Sequence, residues 1–323
     1  MLDEKKEVIL EARNVTRSFL SSKKRKLIAN NDVNLKLYKG ETLGIVGESG
    51  CGKSTLAKML IQLDKPTSGK ILFHGQNIAD LKGEKLRQNR KKIQMVFQNS
   101  TESFQPKMKI KQIVCEPLLN YGLLSKKQID EKAKELLNMV ELQEDFINRY
   151  PFQLSGGQRQ RIGIARALAL QPEVLICDEA TSALDVSVQK SIVQLLIRLQ
   201  KEQNIAVAFI CHDVALVRNI SHRVVVMYLG NVMEIVSGEN LGKGYMHPYT
   251  KALMESVFSV DMDFTKPIES IDSELPSPIN VPSGCPFSNR CNMCMDICKR
   301  SKPQLYEIEN GHKIACHLFH REN

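Results

Sequence analysis

Nine residues, Gly47–Thr55 (Gly-Glu-Ser-Gly-Cys-Gly-Lys-Ser-Thr), constrain this chain more than any other stretch. They fit G-x-x-x-x-G-K-[ST], with Gly47, Gly52, Lys53 and Ser54 at the fixed places. The flanks agree with it. Thr42–Val46 reads as a short buried strand and Leu56–Ile61 as an apolar helix, the strand, loop and helix context that such a loop needs. Glycines lack a Cβ, so consecutive N–H groups can turn inward on a polyphosphate, while the helix N-terminus adds its positive end and Lys53 a mobile cation. The Ser54 hydroxyl suits Mg²⁺. A nucleotide site is therefore expected at Gly47, Ser49, Gly50, Cys51, Gly52, Lys53, Ser54 and Thr55.

The chain has 323 residues, 42% of them hydrophobic, enough for one large domain or two with a buried core. Lys+Arg 45 against Asp+Glu 36 gives +9, which fits nucleic acid, an anionic membrane surface or simply a nucleotide ligand. The longest apolar runs, such as Ile205–Cys211, are strand-length and far short of the roughly 20 residues that cross a bilayer. Met1-Leu-Asp-Glu-Lys-Lys lacks the apolar core of a secretory signal, so a cytosolic protein is expected, where structural disulfides are rare. Clustered cysteines then need another explanation.

Taken in order, Val8–Leu10 and Val33–Leu37 alternate with period two around the basic run Lys23–Lys26, predicting an antiparallel wing with a solvated tip. Phe19, ahead of the phosphate loop, is either a core side chain or an adenine-stacking ring. Ile93–Phe97 reads as a strand ending in Gln98, whose amide is a loop group or a partner for Mg²⁺ and the attacking water. From Ser125 to Leu142 the apolar spacing is helical, with Ser125 and Gln128 forming a capping box. Then come Leu154-Ser-Gly-Gly-Gln158 and the basic amphipathic Arg159–Leu168, a second helix start suited to anions. One nucleotide does not need two such sites unless the second serves another subunit. Val174–Glu179 is a buried strand ending in two carboxylates, where Asp178 suits a Mg²⁺ ligand and Glu179 a general base, against a bland role as helix caps. Ser182–Asp185 and a helix from Val186 to Gln200 follow, and strand Ile205–Cys211 ends in His212, a structural residue or a γ-phosphate contact.

In order and spacing, Gly47–Thr55, Gln98, Leu154–Gln158, Ile176–Glu179, Ser182–Asp185 and His212 resemble the ATP-binding subunit of ABC transporters. Met246-His-Pro-Tyr-Thr-Lys-Ala-Leu253 and Leu275-Pro-Ser-Pro-Ile-Asn-Val-Pro-Ser-Gly-Cys-Pro-Phe287 are similar to the oligopeptide/dipeptide importer branch, F-type. The resemblance spans nearly the whole chain. It implies an α/β phosphate-loop NTPase of ABC type: a RecA-like core, an antiparallel β wing, an α-helical signature subdomain and a small Cys-rich C-terminal extension. Domain limits of 1–255 and 256–323 follow from it.

Functionally, the resemblance implies an ATPase powering import of oligopeptides or dipeptides, the alternative cargo being nickel or another small solute. ATP would lie between the phosphate loop of one subunit and Ser155, Gly156, Gly157 and Gln158 of another. Lys53 would hold phosphates, Ser54, Gln98 and Asp178 Mg²⁺, and Phe19 the adenine. Glu179, His212 and Gln98 would be catalytic. The implied partners are a related D-type ATP-binding subunit or a second copy, two membrane-spanning permease subunits and, indirectly, an extracytoplasmic solute-binding protein. The implied location is the cytoplasmic face of the membrane. One cassette without a coiled-coil insertion speaks against a nucleic-acid partner, and Glu179 with His212 against a non-hydrolysing subunit.

Departures from the family pattern are Asn99-Ser100 after Gln98 where Asp-Pro is usual, Phe104-Gln-Pro-Lys-Met108 for Leu-Asn-Pro-Arg-Met, and Ala180 for Pro. Near the C-terminus five cysteines sit in a short extension that needs some staple. By resemblance Cys285, Cys291, Cys298 and Cys316 imply a [4Fe-4S] cluster, with Zn²⁺ the alternative and Cys294 additional to the pattern. The other cysteines, Cys51, Cys115, Cys177 and Cys211, read as small apolar residues.

Overall fold

The computed structural model describes residues 6–20, 26–97, 104–181, 184–244, 246–255, 282–309 and 311–319. Strands β1 (Val8–Leu20), β2 (Lys26–Tyr38) and β3 (Thr42–Val46) lead into α1 (Lys53–Leu60), β4 (Ser68–Phe73), β5 (Gln76–Asn77), α2 (Gly83–Lys92) and β6 (Ile93–Val96). Helices α3 (Ile110–Asn120), α4 (Ile129–Met139) and α5 (Gly156–Leu168) precede β7 (Val174–Asp178), α6 (Val186–Gln203) and β8 (Ala206–Ile210). The remainder comprises α7 (Val214–Ile220), β9 (Arg223–Tyr228), β10 (Asn231–Ser237), α8 (Pro248–Glu255), α9 (Asp296–Arg300), β11 (Tyr306–Glu309) and β12 (His312–Ile314). The chain divides into two compact units, one of Met1–Glu7, Tyr38–Glu41 and Leu81–Ala208, the other of Val8–Leu37, Thr42–Asp80 and Phe209–Asn323.

In the first unit β6 and β7 pair in parallel from Ile93↔Val174 to Val96↔Cys177. Every residue of β7 is buried, which is why the strand reads as one apolar run rather than an alternation. Helices α3, α4 and α5 pack on one another through residues such as Ile113, Leu136, Leu137 and Ile162. The Ser125–Gln128 capping box is present, but it opens a 3-10 turn, Lys126–Gln128, and the α-helix starts only at Ile129. Arg161 ties α5 to its neighbours by donating to the Val140 carbonyl and to Ser191 Oγ, both at 2.6 Å.

The second unit contains the wing, a sheet of order β2-β1-β4-β5. Strands β1 and β2 each run 13 residues, well past the alternating stretches. Backbone ladders rather than apolar side chains carry them onward, as in β1 against β4 from Leu10↔Phe73 to Thr16↔Ser68. The basic tip lies largely outside the described residues, with only Lys26 on β2. A further run of strands has the order β11-β12-β10-β9-β3, with β3 parallel to β9 and the other pairs antiparallel. Ile45, Leu56, Met59, Val225 and Met227 are at most 1% exposed and form the core beneath the phosphate loop. Each such side chain contributes roughly 1.5–3 kcal/mol by leaving water.

The C-terminal extension is held by this unit directly. Strand β12 adds to β10 through Glu234↔Ile314 and Ile235↔Lys313, so backbone pairing supplies a staple that the cysteines alone were expected to provide. Beneath it, the fully buried Glu234 accepts from the His247 N–H at 2.9 Å, while its other oxygen meets His312 Nε2 at 2.8 Å.

Candidate nucleotide site

Strand β3 delivers the chain to Gly47, and α1 takes it away from Gly52. Both glycines are required by geometry. At φ 149° and φ 102° they lie where L side chains are strained, and a Cβ would stand 2.1 Å from the Met227 carbonyl oxygen at Gly47 and 2.1 Å from that of Ala29 at Gly52. Helix α1 starts at Gly52, which makes no side-chain cap hydrogen bond. Lys53 is only 4% exposed and donates to the carbonyls of Gly47 (2.6 Å) and Glu48 (2.9 Å). A buried ammonium amid backbone carbonyls, beside a helix start whose N-cap is a glycine, is a site for a polyanion. Cys51 Sγ lies 3.7 Å from Lys53 Nζ, and burial pushes its thiol up despite that cation. Ser54 and Thr55 follow within α1.

Phe19 is 40% exposed at the end of β1, which removes the core reading. Its ring carries the Arg17 guanidinium at 4.5 Å, and Arg17 in turn pairs with Asp64 at 2.6 Å. His212 is exposed, two residues past the end of β8 and just before Asp213, whose carboxylate caps α7 by accepting from the Leu216 N–H at 3.0 Å.

In the other unit Asp178 ends β7 and is 7% exposed, a hard oxygen donor of the kind Mg²⁺ selects. Glu179, next to it, has φ 48°, a left-handed conformation that a non-glycine residue holds only under constraint from its surroundings. Gln98 and the departure at Asn99-Ser100 lie outside the described residues, as does Ser182. Asp185 caps α6 by accepting from the Val188 N–H, and the Ser187 hydroxyl holds its carboxylate below the usual range.

The signature stretch is built differently. Ser155 is the N-cap of α5, its Oγ accepting from the Gln158 N–H at 3.3 Å while Gln158 Oε1 accepts from the Ser155 N–H at 2.9 Å. Gly156 and Gly157 are ordinary helical residues. Gly157 makes room for α6, since a Cβ there would meet Val188 Cγ1 at 2.5 Å.

All nine cysteines are free thiols. Cys285, Cys291, Cys298 and Cys316 share one neighbourhood, in which burial, and then the proximity of the other three, pushes the Cys285 thiol up to about 12. Backbone N–H groups two residues onward, at Phe287, Met293 and Leu318, bond the thiols of Cys285, Cys291 and Cys316. Even so, among the described residues no three or more His, Cys, Asp or Glu side chains converge as a metal site, so the expected four-cysteine centre is not formed in this arrangement. Buried protonated thiols have no mutual attraction to draw them together.

Sequence reading missed a pairing of the extension with the phosphate loop: Arg290 Nη1 donates to Glu48 Oε2 at 2.9 Å across 242 residues. The only local signal was an arginine lodged between two cysteines, Cys285-Pro-Phe-Ser-Asn-Arg-Cys291.

A phosphate loop with a buried lysine, a buried aspartate followed by a constrained glutamate, and a self-capped signature helix together define an ATP-binding cassette. The family described as ABC transporter matches residues 30–182, and the one described as oligopeptide/dipeptide transporter, C-terminal region, matches residues 233–298. The chain is 47% identical to the oligopeptide transport ATP-binding protein AppF of Bacillus subtilis, over 97% of this chain and 98% of that one. It is 46% identical to the oligopeptide transport ATP-binding protein OppF of Haemophilus influenzae, over 96% and 97% respectively. Among solved structures, the bacterial ABC transporter cassette MJ0796, solved as a dimer, matches at TM-score 0.66 and 34% identity, covering 73% of this chain and all of that one. The same cassette in a post-hydrolysis state bound to ADP and Pi matches at TM-score 0.65 and 33% identity, again over 73% and 100%. The chain belongs to the oligopeptide transport ATP-binding proteins of the ABC transporter family, and it is an ATPase cassette of that family. Among the described residues no helix is long and apolar enough to cross a membrane.

Proposed function

We propose that the chain is the ATP-hydrolysing subunit (ATP + H₂O to ADP + phosphate) of an importer of oligopeptides or dipeptides, acting at the cytoplasmic face of the membrane. Residues 1–255 form its nucleotide-binding domain and 256–323 its extension. The observation that carries the reading is Lys53, buried against the carbonyls of a glycine loop whose helix has no side-chain cap.

Lys53 and the loop amides of Gly47, Ser49, Gly50, Cys51 and Gly52 hold the phosphates, Thr55 adds its hydroxyl, and Phe19 stacks on the adenine. Ser54 and Asp178, with Gln98, offer the oxygen donors that Mg²⁺ takes, and bound Mg²⁺ would neutralise charge on the phosphates. Glu179 accepts a proton from the attacking water at its carboxylate, and His212 donates a hydrogen bond to a γ-phosphate oxygen. Ser155, whose oxygen is engaged in capping, keeps its hydroxyl proton for a phosphate oxygen of the nucleotide on a partner cassette, with Gly156, Gly157 and Gln158 closing around it. That partner is a related D-type subunit or a second copy, and closure excludes water from the charges. Two permease subunits and a solute-binding protein complete the importer.

For Cys285, Cys291, Cys298 and Cys316 the finer reading is a [4Fe-4S] cluster, or Zn²⁺ in its place, supported by the shared neighbourhood and the N–H bonds to three of the thiols. Broad visible absorption with bound iron is expected. A colourless, metal-free chain would leave ordinary buried thiols.

Purification of the membrane complex with this chain as bait tests the function. Two permease chains, a second cassette and transport of a short peptide dependent on Glu179 are expected. Nickel transport by the same complex would shift the cargo to the alternative, and peptide transport undiminished by Glu179→Gln would remove the catalytic assignment.

A further inference from the structure

Glu48 is one of the variable positions of the phosphate loop, yet it is restrained on every side. Its N–H donates to the Tyr249 hydroxyl oxygen at 3.0 Å. Its carbonyl accepts from Lys53 Nζ at 2.9 Å and from the Cys51 N–H at 3.3 Å. Its carboxylate accepts from Arg290 Nη1 at 2.9 Å, and the same nitrogen donates to the Tyr228 hydroxyl at 3.1 Å.

The Arg290 side chain is 5% exposed and that of Glu48 16%. Three rings enclose the pair: Tyr228 lies 4.6 Å from Tyr249 and 5.4 Å from Phe287, centroid to centroid, and Tyr249 lies 5.3 Å from Phe287. Arg290 ends the short turn Ser288–Arg290, so the charge reaches the loop from the C-terminal extension. Two consequences follow from elementary electrostatics. A carboxylate inside a loop that must gather a polyphosphate repels its ligand unless a cation cancels it, and water is a weak substitute where rings exclude it. The Nη1 donation, shared between the carboxylate and the Tyr228 hydroxyl, also holds the carboxylate on one side of the loop.

We propose that Arg290 is a positioning residue for ATP: it neutralises Glu48 and fixes the first turn of the phosphate loop, so that the C-terminal extension sets the affinity of the cassette for nucleotide. The proposal rests on the ATPase reading and concerns a residue that does not itself touch the nucleotide.

The test uses the full chain, with equilibrium binding of a fluorescent ATP analogue plus Mg²⁺, steady-state ATPase assays with the partner cassette present, and thermal melting as a check of folding. Arg290→Met is expected to weaken ATP binding about ten-fold, ~1.4 kcal/mol, raising KM in step while kcat moves less than about two-fold. Removing both charges in Glu48→Gln/Arg290→Met is expected to restore binding to within about three-fold of the native chain, because the repulsion is gone. A merely structural role predicts no such rescue. Native-like binding by folded Arg290→Met, or a double variant as weak as the single one, overturns the proposal. If Arg290→Met does not fold, Glu48→Gln decides: binding at least as tight as native supports the charge argument, and a ten-fold loss overturns it. A native chain that neither binds nor hydrolyses ATP sinks the ATPase reading itself, an outcome separable from all of these.

Discussion

At Gly52 a helix begins with a left-handed glycine and no side-chain cap, whereas at Ser155 a helix begins with a reciprocal serine–glutamine box that satisfies its own first amides. Both are glycine-rich starts suited by their dipoles to anions. The phosphate loop is shaped by its tertiary surroundings, with Met227 and Ala29 carbonyls where side chains would be and Lys53 buried beneath. The signature is shaped by its own sequence, and its glycines make room rather than turn the chain. The first gathers its lysine, glycines and helix start within one chain. The second is a self-capped helix start, and on the proposed function its serine hydroxyl meets a nucleotide brought by a partner cassette.

The comparison can be broken most sharply at the charges. Lys53→Ala is expected to abolish ATP binding and turnover together, whereas Glu179→Gln is expected to keep binding and lower turnover by about a thousand-fold or more, read by nucleotide binding and phosphate release. Ser155→Arg belongs to neither pattern: turnover should fall about a hundred-fold while ATP affinity of the isolated chain stays within about two-fold. Equal loss of binding in Ser155→Arg would mean that the signature serves the nucleotide of its own chain.

A milder contrast is thermodynamic. Gly52→Ala should destabilise the chain by ~3 kcal/mol or more, since its Cβ would need the space of the Ala29 carbonyl in a strained conformation. Gly156→Ala should be neutral or stabilising by up to ~1 kcal/mol, because its nearest neighbour, Leu184 Cδ2, would stand at an ordinary 3.4 Å and alanine favours helix. Chemical denaturation of the two variants reads the sign directly.

The smallest effect at neutral pH concerns the support beneath the phosphate loop. Burial pushes His247 down to about 3, and its Nδ1 accepts from the Tyr249 N–H at 3.0 Å. The folded value lies below the unfolded one of about 6.5, so this histidine contributes full stability above that pH and loses it as pH falls toward 3. Up to ~4 kcal/mol should disappear across that window, and His247→Gln should flatten the profile. An unchanged acid limb in the variant would remove His247 as its source.

What was legible in the sequence was local. The phosphate loop, the helix start at Leu154–Gln158, the Ser125–Gln128 capping box and the carboxylates at 178 and 179 all lie in short contiguous runs whose periodicity or spacing carries the signal, whereas the reciprocal Ser155–Gln158 cap emerged only from the structure. The lengths of β1 and β2 were not, because backbone ladders extend past the apolar alternation that marks a strand. Nor were the contacts of the extension. The Arg290–Glu48 pair joins residues 242 apart and the Glu234–His312 pair residues 78 apart, and no local pattern announces a partner at such separations. The Cys51 thiol beside Lys53 read correctly as a small buried residue, since a constrained loop leaves little room there.

Turnover per chain across a dilution series, with sedimentation reporting the molar mass at each concentration, bears most directly on the claim that two cassettes share each nucleotide. Turnover should fall away as the chains separate to monomers and return when a partner cassette with an intact signature serine is added. A dilute monomer that hydrolyses ATP at an undiminished rate, with Ser155→Arg making no difference, contradicts the account.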